Sequence, residues 1–318
     1  MILIVDGNNI SFAGWAAMNS ENTRADLVTN MGIKTTVIFT LFRSLYRMCD
    51  RFKISKTIIC WDGGSIFRKK IFKHYKGNRK PLPNVQDYYD NVNVAREYLA
   101  KLGVEQYWCK GIEADDIIGW LSKKYSNKGE SVLVMSDDVD FFQLSCNKIK
   151  FYRPTSGNVF TKDECEEKLG YSTKLLPRVL AFAGQKKDNI PGACNLDKDG
   201  IMVKEGLGDK TAYKMLCRPD GGYYKIKQAI NSLDKSNRFY DLIMKNKKGI
   251  RISYKLAKIR TKDSQYLNFE IEYLKNQYSK YLIKKFIRVS MIRNIQELLE
   301  FNKIDLLKTL IKIGIKVQ

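Results

Sequence analysis

The most constraining feature of this sequence is a short apolar run that ends in acidic residues and occurs three times. The runs, each with the acids that follow it, are Ile2–Val5 with Asp6, Thr57–Trp61 with Asp62, and Val132–Ser136 with Asp137, Asp138 and Asp140. Helical patterns separate the runs, and this alternation is typical of β-α-β units in a parallel sheet. Because the carboxyl ends of parallel strands meet at one edge, the acids are predicted to lie where open α/β folds bind ligands.

The chain is predicted to divide into two parts near residue 180. The elements expected in the first part, residues 1–180, are helices around 35–48, around 85–102 and from Glu113, a further strand at 105–108 and a hairpin at 149–160. A capping box at Thr161–Glu164 then begins a series of helices. The second part, residues 181–318, is predicted to be mostly helical, with a glycine-rich interruption at 191–208.

Charge and composition restrict the classes of function. The 318 residues include 56 Lys and Arg against 34 Asp and Glu, and this formal charge of +22 predicts a polyanionic partner, most simply nucleic acid. The single histidine, His74, argues against histidine-based catalysis, and seven cysteines without a Cys-x-x-Cys pair argue against disulfides and zinc. No uncharged apolar stretch approaches the ~18 residues of a membrane span, so a soluble, cytoplasmic protein is expected.

A fourth acidic group follows the strand at 105–108. Glu113, Asp115 and Asp116 begin a helix there, with Glu113 and Asp116 on one face. The simpler interpretation is that such acids only cap helices and complement their dipoles. Four acidic groups at one edge, however, repel one another and need a compensating charge. An all-oxygen set suits Mg²⁺ or Mn²⁺, and two such ions ~4 Å apart are the usual device for phosphodiester hydrolysis.

Residues 65–80 form a basic segment just beyond Asp62. This segment contains seven Lys or Arg and no acid. A solvated charged surface is the ordinary explanation of such a run. Its position beside the acidic edge, with Phe67, Phe72 and Tyr75 among the basic residues, favours phosphate binding and base stacking instead.

A second phosphate site is predicted where Gly206 and Gly208 precede a helical stretch that continues to Leu216. Glycines let the backbone approach a phosphate, a helix N-terminus presents free amide groups, and Lys210 adds positive charge. The alternative is an ordinary glycine turn at the start of a helix.

Several motifs follow one another in a specific order and spacing. They are Val5–Asn9, Trp61–Asp62, Phe67–Arg68, Tyr75–Arg79, Glu113–Asp116, Ser136–Asp140, Asp188–Gly192 and Gly206–Ala212. Together they strongly resemble the flap endonuclease and 5′→3′ exonuclease superfamily over roughly residues 1–220. The chain most resembles stand-alone bacteriophage members, including the phage ribonuclease H type, and it is also similar to the 5′ nuclease domain of bacterial DNA polymerase I.

The resemblance implies a PIN-like α/β core, with a mostly parallel sheet flanked by helices, followed by a helix-three-turn-helix element that grips duplex DNA. It also implies an arch at about 65–103. The implied ligands of two Mg²⁺ ions, with Mn²⁺ as a substitute, are Asp6, Asp62, Glu113, Asp115, Asp116, Asp138, Asp140 and Asp188. The residues implied to act at the scissile phosphate are Arg68, Lys76 and Arg79, with Tyr75 available for base stacking. The residues implied to hold the downstream duplex, beside a monovalent cation, are Gly206, Gly208, Lys210 and Thr211.

Two features depart from the family pattern. Gln185 stands where the family has an aspartate of the second metal site, so a weakened second site is implied. Gln185 still offers a carbonyl oxygen, whereas Asp137, beside Asp138 at the strand end, is expected to point to the other face. The glycine-rich stretch is also longer than the family's, with approximately residues 193–204 inserted.

The implied function is that of a Mg²⁺-dependent, structure-specific 5′ nuclease that removes RNA primers and 5′ flaps in phage replication. Its expected partners are branched or nicked duplex DNA with a 5′ flap, RNA–DNA hybrid and replication proteins, and a monomer is expected. Two alternatives stay open. One is a PIN-type ribonuclease acting on single-stranded RNA, which needs no duplex grip. The other is a DNA-binding protein with a degenerate site, which Gln185 makes conceivable.

Overall fold

The computed structural model of the chain describes residues 1–18, 27–49, 51–80, 84–203, 207–262, 289–301 and 305–317. Six strands form one sheet: β1 (Ile2–Asp6), β2 (Lys56–Trp61), β3 (Glu105–Trp108), β4 (Val132–Met135), β5 (Ile149–Arg153) and β6 (Asn158–Phe160). Their order is β3-β2-β1-β4-β5-β6, and every neighbouring pair is parallel except the antiparallel β5–β6 hairpin. This arrangement confirms the predicted α/β fold with a mostly parallel sheet.

Helices flank the sheet and dominate the second half of the chain. They are α1 (Gly7–Met18), α2 (Thr36–Cys49), α3 (Ile66–Ile71), α4 (Val85–Lys101), α5 (Ala114–Asn127), α6 (Lys162–Leu169), α7 (Leu176–Ala183), α8 (Asp209–Leu216), α9 (Ile226–Asn231), α10 (Tyr240–Lys245), α11 (Lys247–Ala257), α12 (Val289–Leu298) and α13 (Leu306–Lys312). The predicted capping box starts α6, where Thr161 and Glu164 bond to each other's backbone amide. Of the helices in the described part of the chain, none has both the length and the apolar character needed to cross a bilayer.

Hydrophobic cores cover both faces of the sheet. The central strands β1 and β4 are buried throughout, as expected of apolar parallel strands covered on both sides. One core includes side chains of α5, α7 and α11, and the other includes side chains of α2, α4, α12 and α13. Each core contains residues from before and after residue 180, so the predicted division near 180 does not separate two hydrophobic cores.

Helix α4 corrects the expectation of an arch at about 65–103. One face of this helix is buried at a spacing of three and four residues, through Tyr88, Val92, Ala95 and Leu99. A helix with such an apolar face packs on the core instead of projecting from it, and α4 packs against α2. The part of the predicted arch that remains to span the site is the connection between α3 and α4, of which 81–83 lie outside the described residues.

The strand register brings the acids to one edge. Asp6 pairs with Cys60, two residues before Asp62, and Val5 pairs with Met135, shortly before Asp138. The chain passes from β1 to β2 on one side and later returns to β4 on the other, so the connections change direction beside β1. This crevice is where open α/β folds bind their ligands.

Candidate active site

Seven of the eight predicted metal ligands lie along this edge and form an acidic cluster. Its members are Asp6, Asp62, Glu113, Asp115, Asp138, Asp140 and Asp188. They come from the ends of β1, β2 and β4, from the start of α5 and from the turn Lys186–Asp188. In the part of the chain that the structure describes, no three of these side chains already stand around a single point as a bound ion requires. Several of them bond to basic side chains instead.

Asp6 ends β1, which lies between β2 and β4, and its side chain is buried. Its carboxylate accepts hydrogen bonds from the Asn9 amide (3.1 Å) and from Ser136 Oγ (2.9 Å). Burial, with the nearby charges of Asp62 and Asp138, raises the pKa of Asp6 to about 7. Gly7 permits this position, because a side chain there would meet Trp61 and the Cys60 carbonyl at under 3 Å.

Asp115 faces the same space from the first turn of α5. Burial and the charges of Asp6 and Asp138 raise its pKa well above the ordinary value. Asp62 is held nearby by a 2.7 Å hydrogen bond from the Ala114 amide. Among the described residues, no Lys or Arg forms an ion pair with Asp6, Asp62 or Asp115. This half of the cluster therefore gathers carboxyl groups that have no cationic partner among the described residues.

Three basic side chains reach the remaining acids. Lys76 Nζ contacts the Glu113 carboxylate, and Arg79 Nη2 contacts that of Asp188. Lys187 Nζ lies 2.9 Å from Asp138 Oδ2 and 3.3 Å from Asp140 Oδ2. Lys76 and Arg79 therefore contact the acidic cluster.

Arg68 and Asp116 occupy places that differ from the implied ones. The guanidinium of Arg68 donates from Nη1 to Glu113 (2.7 Å) and Asp116 (2.9 Å), and from Nη2 to Asp116 (3.1 Å). Its Nε donates to the Leu256 carbonyl (3.1 Å), and only 4% of Arg68 is exposed. Arg68 therefore has no surface for a scissile phosphate, and Asp116, fully buried against it, is not part of the acidic cluster. The predicted common face of Glu113 and Asp116 is confirmed, since both bind Arg68.

Tyr75 is a core residue, although the resemblance implies that it stacks on a base. Its side chain is 3% exposed, and its hydroxyl donates to Glu113 at 3.3 Å. Burial, together with the charge of Glu113, raises the pKa of the hydroxyl. For Glu113 burial acts in the same direction, but Arg68 and Lys76 outweigh it and the pKa of this carboxyl is lowered.

Gln185, which departs from the family pattern, and Asp137, which follows β4 beside Asp138, have different partners. Gln185 Nε2 donates to both oxygens of Asp140, at 2.9 and 3.2 Å. Asp137 accepts hydrogen bonds from the amide and hydroxyl of Thr155, at 3.1 and 2.7 Å, in the turn between β5 and β6. Asp137 is thus directed away from the cluster, which confirms the orientation predicted from strand alternation.

Two asparagines and one lysine belong to the site but were not among the predicted site residues. Asn8 Oδ1 accepts from the Asp62 amide (2.7 Å), and Asn9 Oδ1 accepts from the Asp137 amide (3.0 Å). These bonds connect the ends of β1, β2 and β4. The signal in the sequence is the amide pair directly after Asp6. The sequence around Lys187 contains no comparable pattern that would indicate its place at the site.

The stretch that the resemblance predicts to be inserted, residues 193–204, packs on the basic segment where the structure describes it. Leu196 and Met202 pair across a short antiparallel bridge, and Gly200 lies so close to His74 that a side chain there would meet the imidazole at under 3 Å. Asn189, which is buried, donates to the carbonyls of His74 (2.8 Å) and Gly200 (3.0 Å) and accepts from the Met202 amide (3.0 Å). Gly200 and Met202, through Asn189, therefore support the part of the basic segment that precedes Lys76.

The second predicted phosphate site is described in part. Gly206 lies outside the described residues. Gly208 is the N-cap of α8, and Lys210 and Thr211 lie in the first turn, with Lys210 exposed. This helix packs against α7.

Known proteins resemble this chain in sequence and in fold. Residues 1–170 match the family model described as the 5′-3′ exonuclease N-terminal resolvase-like domain. The 5′-3′ exonuclease of Aquifex aeolicus is 28% identical over 261 residues, which are 82% of each chain. The thermostable DNA polymerase I of Thermus filiformis is 26% identical over 82% of this chain and 28% of the polymerase. The bacteriophage T5 flap endonuclease, solved with DNA and metal ions, shares the fold with a TM-score of 0.65, 18% identity and coverage of 94% of this chain and 99% of that one.

Proposed function

The chain belongs to the 5′-3′ exonuclease family, and from this membership we propose that it hydrolyses phosphodiester bonds of 5′ flaps and of RNA or DNA 5′ ends on duplex DNA. The observation that carries the proposal is the acidic cluster at the carboxyl ends of β1, β2 and β4, with Lys76 and Arg79 of the basic segment in contact with it. Carboxylates beside phosphate-binding cations suit metal-assisted phosphodiester hydrolysis.

The cluster fits a divalent ion because its donors are all oxygen and part of its charge is uncompensated. Asp6, Asp62 and Asp115 would hold one Mg²⁺ or Mn²⁺, since no ion pair to them occurs among the described residues. The resemblance implies a second ion near Asp138, Asp140 and Asp188. Bound divalent ions would lower the pKa of the attacking water and stabilise charge on the phosphate oxygens.

Lys76 and Arg79 would position the scissile phosphate. Both side chains now contact carboxylates, and a phosphate oxygen could take the place of either carboxylate. Their charges would then stabilise the negative charge that develops during hydrolysis. Asn8 and Asn9 would hold the strand ends in register while the acids bind the ion.

Duplex DNA would be held at a distance from the cluster by the N-terminus of α8. Gly208 is exposed at the N-terminus of α8, and Lys210 and Thr211 add a charge and a hydroxyl there. In this proposal, α7 and α8 form the helix-three-turn-helix element, with a monovalent cation bound between them. Removal of RNA primers from RNA–DNA hybrid in phage replication, by a monomer working with replication proteins, is the process that this activity would serve.

The test is cleavage of a 5′-flap duplex with Mg²⁺ and with EDTA, using two variants that make the same chemical change. Asp115→Asn should abolish cleavage while flap binding stays equal or tightens, because a carboxylate that repels phosphate is removed. Asp137→Asn should retain cleavage, because Asp137 is directed toward Thr155. Full activity of Asp115→Asn would refute the assignment. Cleavage of single-stranded RNA in preference to the flap would favour the PIN-type ribonuclease, and metal-independent binding without cleavage would favour the degenerate site.

A further inference from the structure

The two halves of the acidic cluster differ in how their charge is balanced. Among the described residues, Asp6, Asp62 and Asp115 have no ion pair. At the other end, the ammonium group of Lys187 lies between Asp138 and Asp140, 2.9 and 3.3 Å from an oxygen of each. The half of the cluster that contains Asp138 and Asp140 therefore already holds a cation, the ammonium group of Lys187.

Gln185 reinforces this difference. Its amide group donates to both oxygens of Asp140, so it acts as a donor toward the acid at this end. Asp138, Asp140 and Lys187 together carry one net negative charge, since two carboxylates face one ammonium group. Hard divalent ions depend on the negative charge gathered around them, so this end attracts Mg²⁺ less than the half that contains Asp115.

The position of Lys187 is set by a well-anchored turn. The carbonyl of Lys186 accepts a 2.6 Å hydrogen bond from Asn78, and the carbonyl of Asp188 accepts a 2.8 Å bond from the Lys76 amide. The turn is therefore attached to the basic segment on both sides of Lys187. The neighbouring Lys186 is also exposed but forms no ion pair among the described residues. The two lysines differ in contact with the cluster and not in charge.

We propose that the Lys187 ammonium group takes the place of the second divalent ion, so that the free enzyme binds one divalent ion, at Asp6, Asp62 and Asp115. This inference rests on the proposed nuclease function and deepens it. At Asp138 and Asp140, Lys187 supplies the positive charge that the second ion would supply, and this charge is present whatever the Mg²⁺ concentration. An ammonium group also donates hydrogen bonds directly, whereas Mg²⁺ must first give up water that it holds strongly.

The experiment counts bound ions by electron paramagnetic resonance of free Mn²⁺ during titration of the full-length protein. Wild type should bind one ion per chain. The double variant Gln185→Asp/Lys187→Ala, which restores a carboxylate and removes the ammonium group, should bind two. Lys187→Ala should bind the second Mn²⁺ ion with at least tenfold higher affinity than Lys186→Ala. Lys186→Ala is the control, because it makes the same change of net charge. Both lysines are exposed, so the two single lysine variants should remain folded, and thermal unfolding of every variant checks this.

Cleavage of the 5′-flap duplex with Mg²⁺, measured on the same samples, separates this inference from the proposed function. Two ions of similar affinity in wild type, with cleavage intact, would overturn the role of Lys187 and leave the nuclease assignment standing. Equal second-ion affinity in Lys187→Ala and Lys186→Ala would overturn it too. A wild-type protein that neither binds Mn²⁺ nor cleaves the flap would overturn both.

Discussion

Replacing Arg68 with methionine should destabilise the fold strongly. The substitution removes a guanidinium that bonds the buried carboxylates of Glu113 and Asp116 through three contacts of 2.7 to 3.1 Å. Removing one partner of a buried ion pair costs ~3–5 kcal/mol, because an uncompensated charge remains. Methionine keeps much of the apolar stem, so we expect a loss of about 4 kcal/mol, which is a large part of a total stability of ~5–15 kcal/mol.

Urea unfolding followed by tryptophan fluorescence in EDTA measures this loss. Lys69→Met on the same helix is the control, because Lys69 is exposed and such surface changes usually stay within ~0.5 kcal/mol. Adding Asp116→Asn to Arg68→Met should recover part of the lost stability, because the amide side chain of asparagine leaves no uncompensated charge at this buried position.

The pH dependence gives a second signature. In wild type the pKa of Glu113 is lowered below its ordinary 4.5, so its contribution to stability is present above that pH and is lost as the pH falls through the folded-state pKa. Without Arg68, protonation of Glu113 and Asp116 removes the uncompensated charge that destabilises the variant. The difference in unfolding free energy between wild type and Arg68→Met should therefore shrink as the pH falls from 7 toward 4.5. An Arg68→Met protein with wild-type stability but no cleavage in single-turnover assays would refute this reasoning and restore the phosphate role implied by the resemblance.

Further outcomes are expected at other positions. Arg79→Ala should lower the single-turnover cleavage rate at least tenfold with little change in affinity, whereas Lys210→Ala should weaken duplex binding and leave the rate at saturation unchanged. In EDTA, the free energy of unfolding should fall as the pH rises from 3.8 to about 7, because folded Asp6 keeps a proton that the unfolded chain releases, and added Mg²⁺ should reverse this loss. Asn189→Ala removes the buried hydrogen bonds to the Gly200 carbonyl and from the Met202 amide, so it should cost about 1–3 kcal/mol in urea unfolding and slow cleavage more than it weakens DNA binding.

Local patterns predicted the sheet and the edge that carries the acids. Continuous apolar runs identify buried parallel strands, and strand ends must meet, so Asp6, Asp62 and Asp138 could be placed together without a structure. Alternation also predicted the orientation of Asp137. Helix α1 was harder to predict, because Gly7, Asn8 and other weak helix formers begin it.

The basic segment shows where sequence reasoning fails. Its composition indicates a phosphate-binding surface, but composition does not tell which side chains turn inward. Arg68 turns inward to bind Glu113 and Asp116, which are 45 and 48 residues away in the sequence. Tyr75 turns inward to bind Glu113, which is 38 residues away. For α4 the resemblance outweighed a local pattern that was present, because the three- and four-residue spacing of Tyr88, Val92 and Leu99 indicates a packed helix and not a projecting arch.

Gln185 and Lys187 illustrate the same limit at the site itself. Gln185 can be identified from the sequence, because the family pattern has a carboxylate at this position. Lys187 is not visible in this way, since its role depends on where the turn Lys186–Asp188 directs the ammonium group. With aspartate at 185 and an uncharged residue at 187, this end would carry three negative charges together with Asp138 and Asp140, whereas here it carries one. Either substitution alone, Gln185→Asp or Lys187→Ala, would give this end two negative charges, so its low charge depends on both residues together.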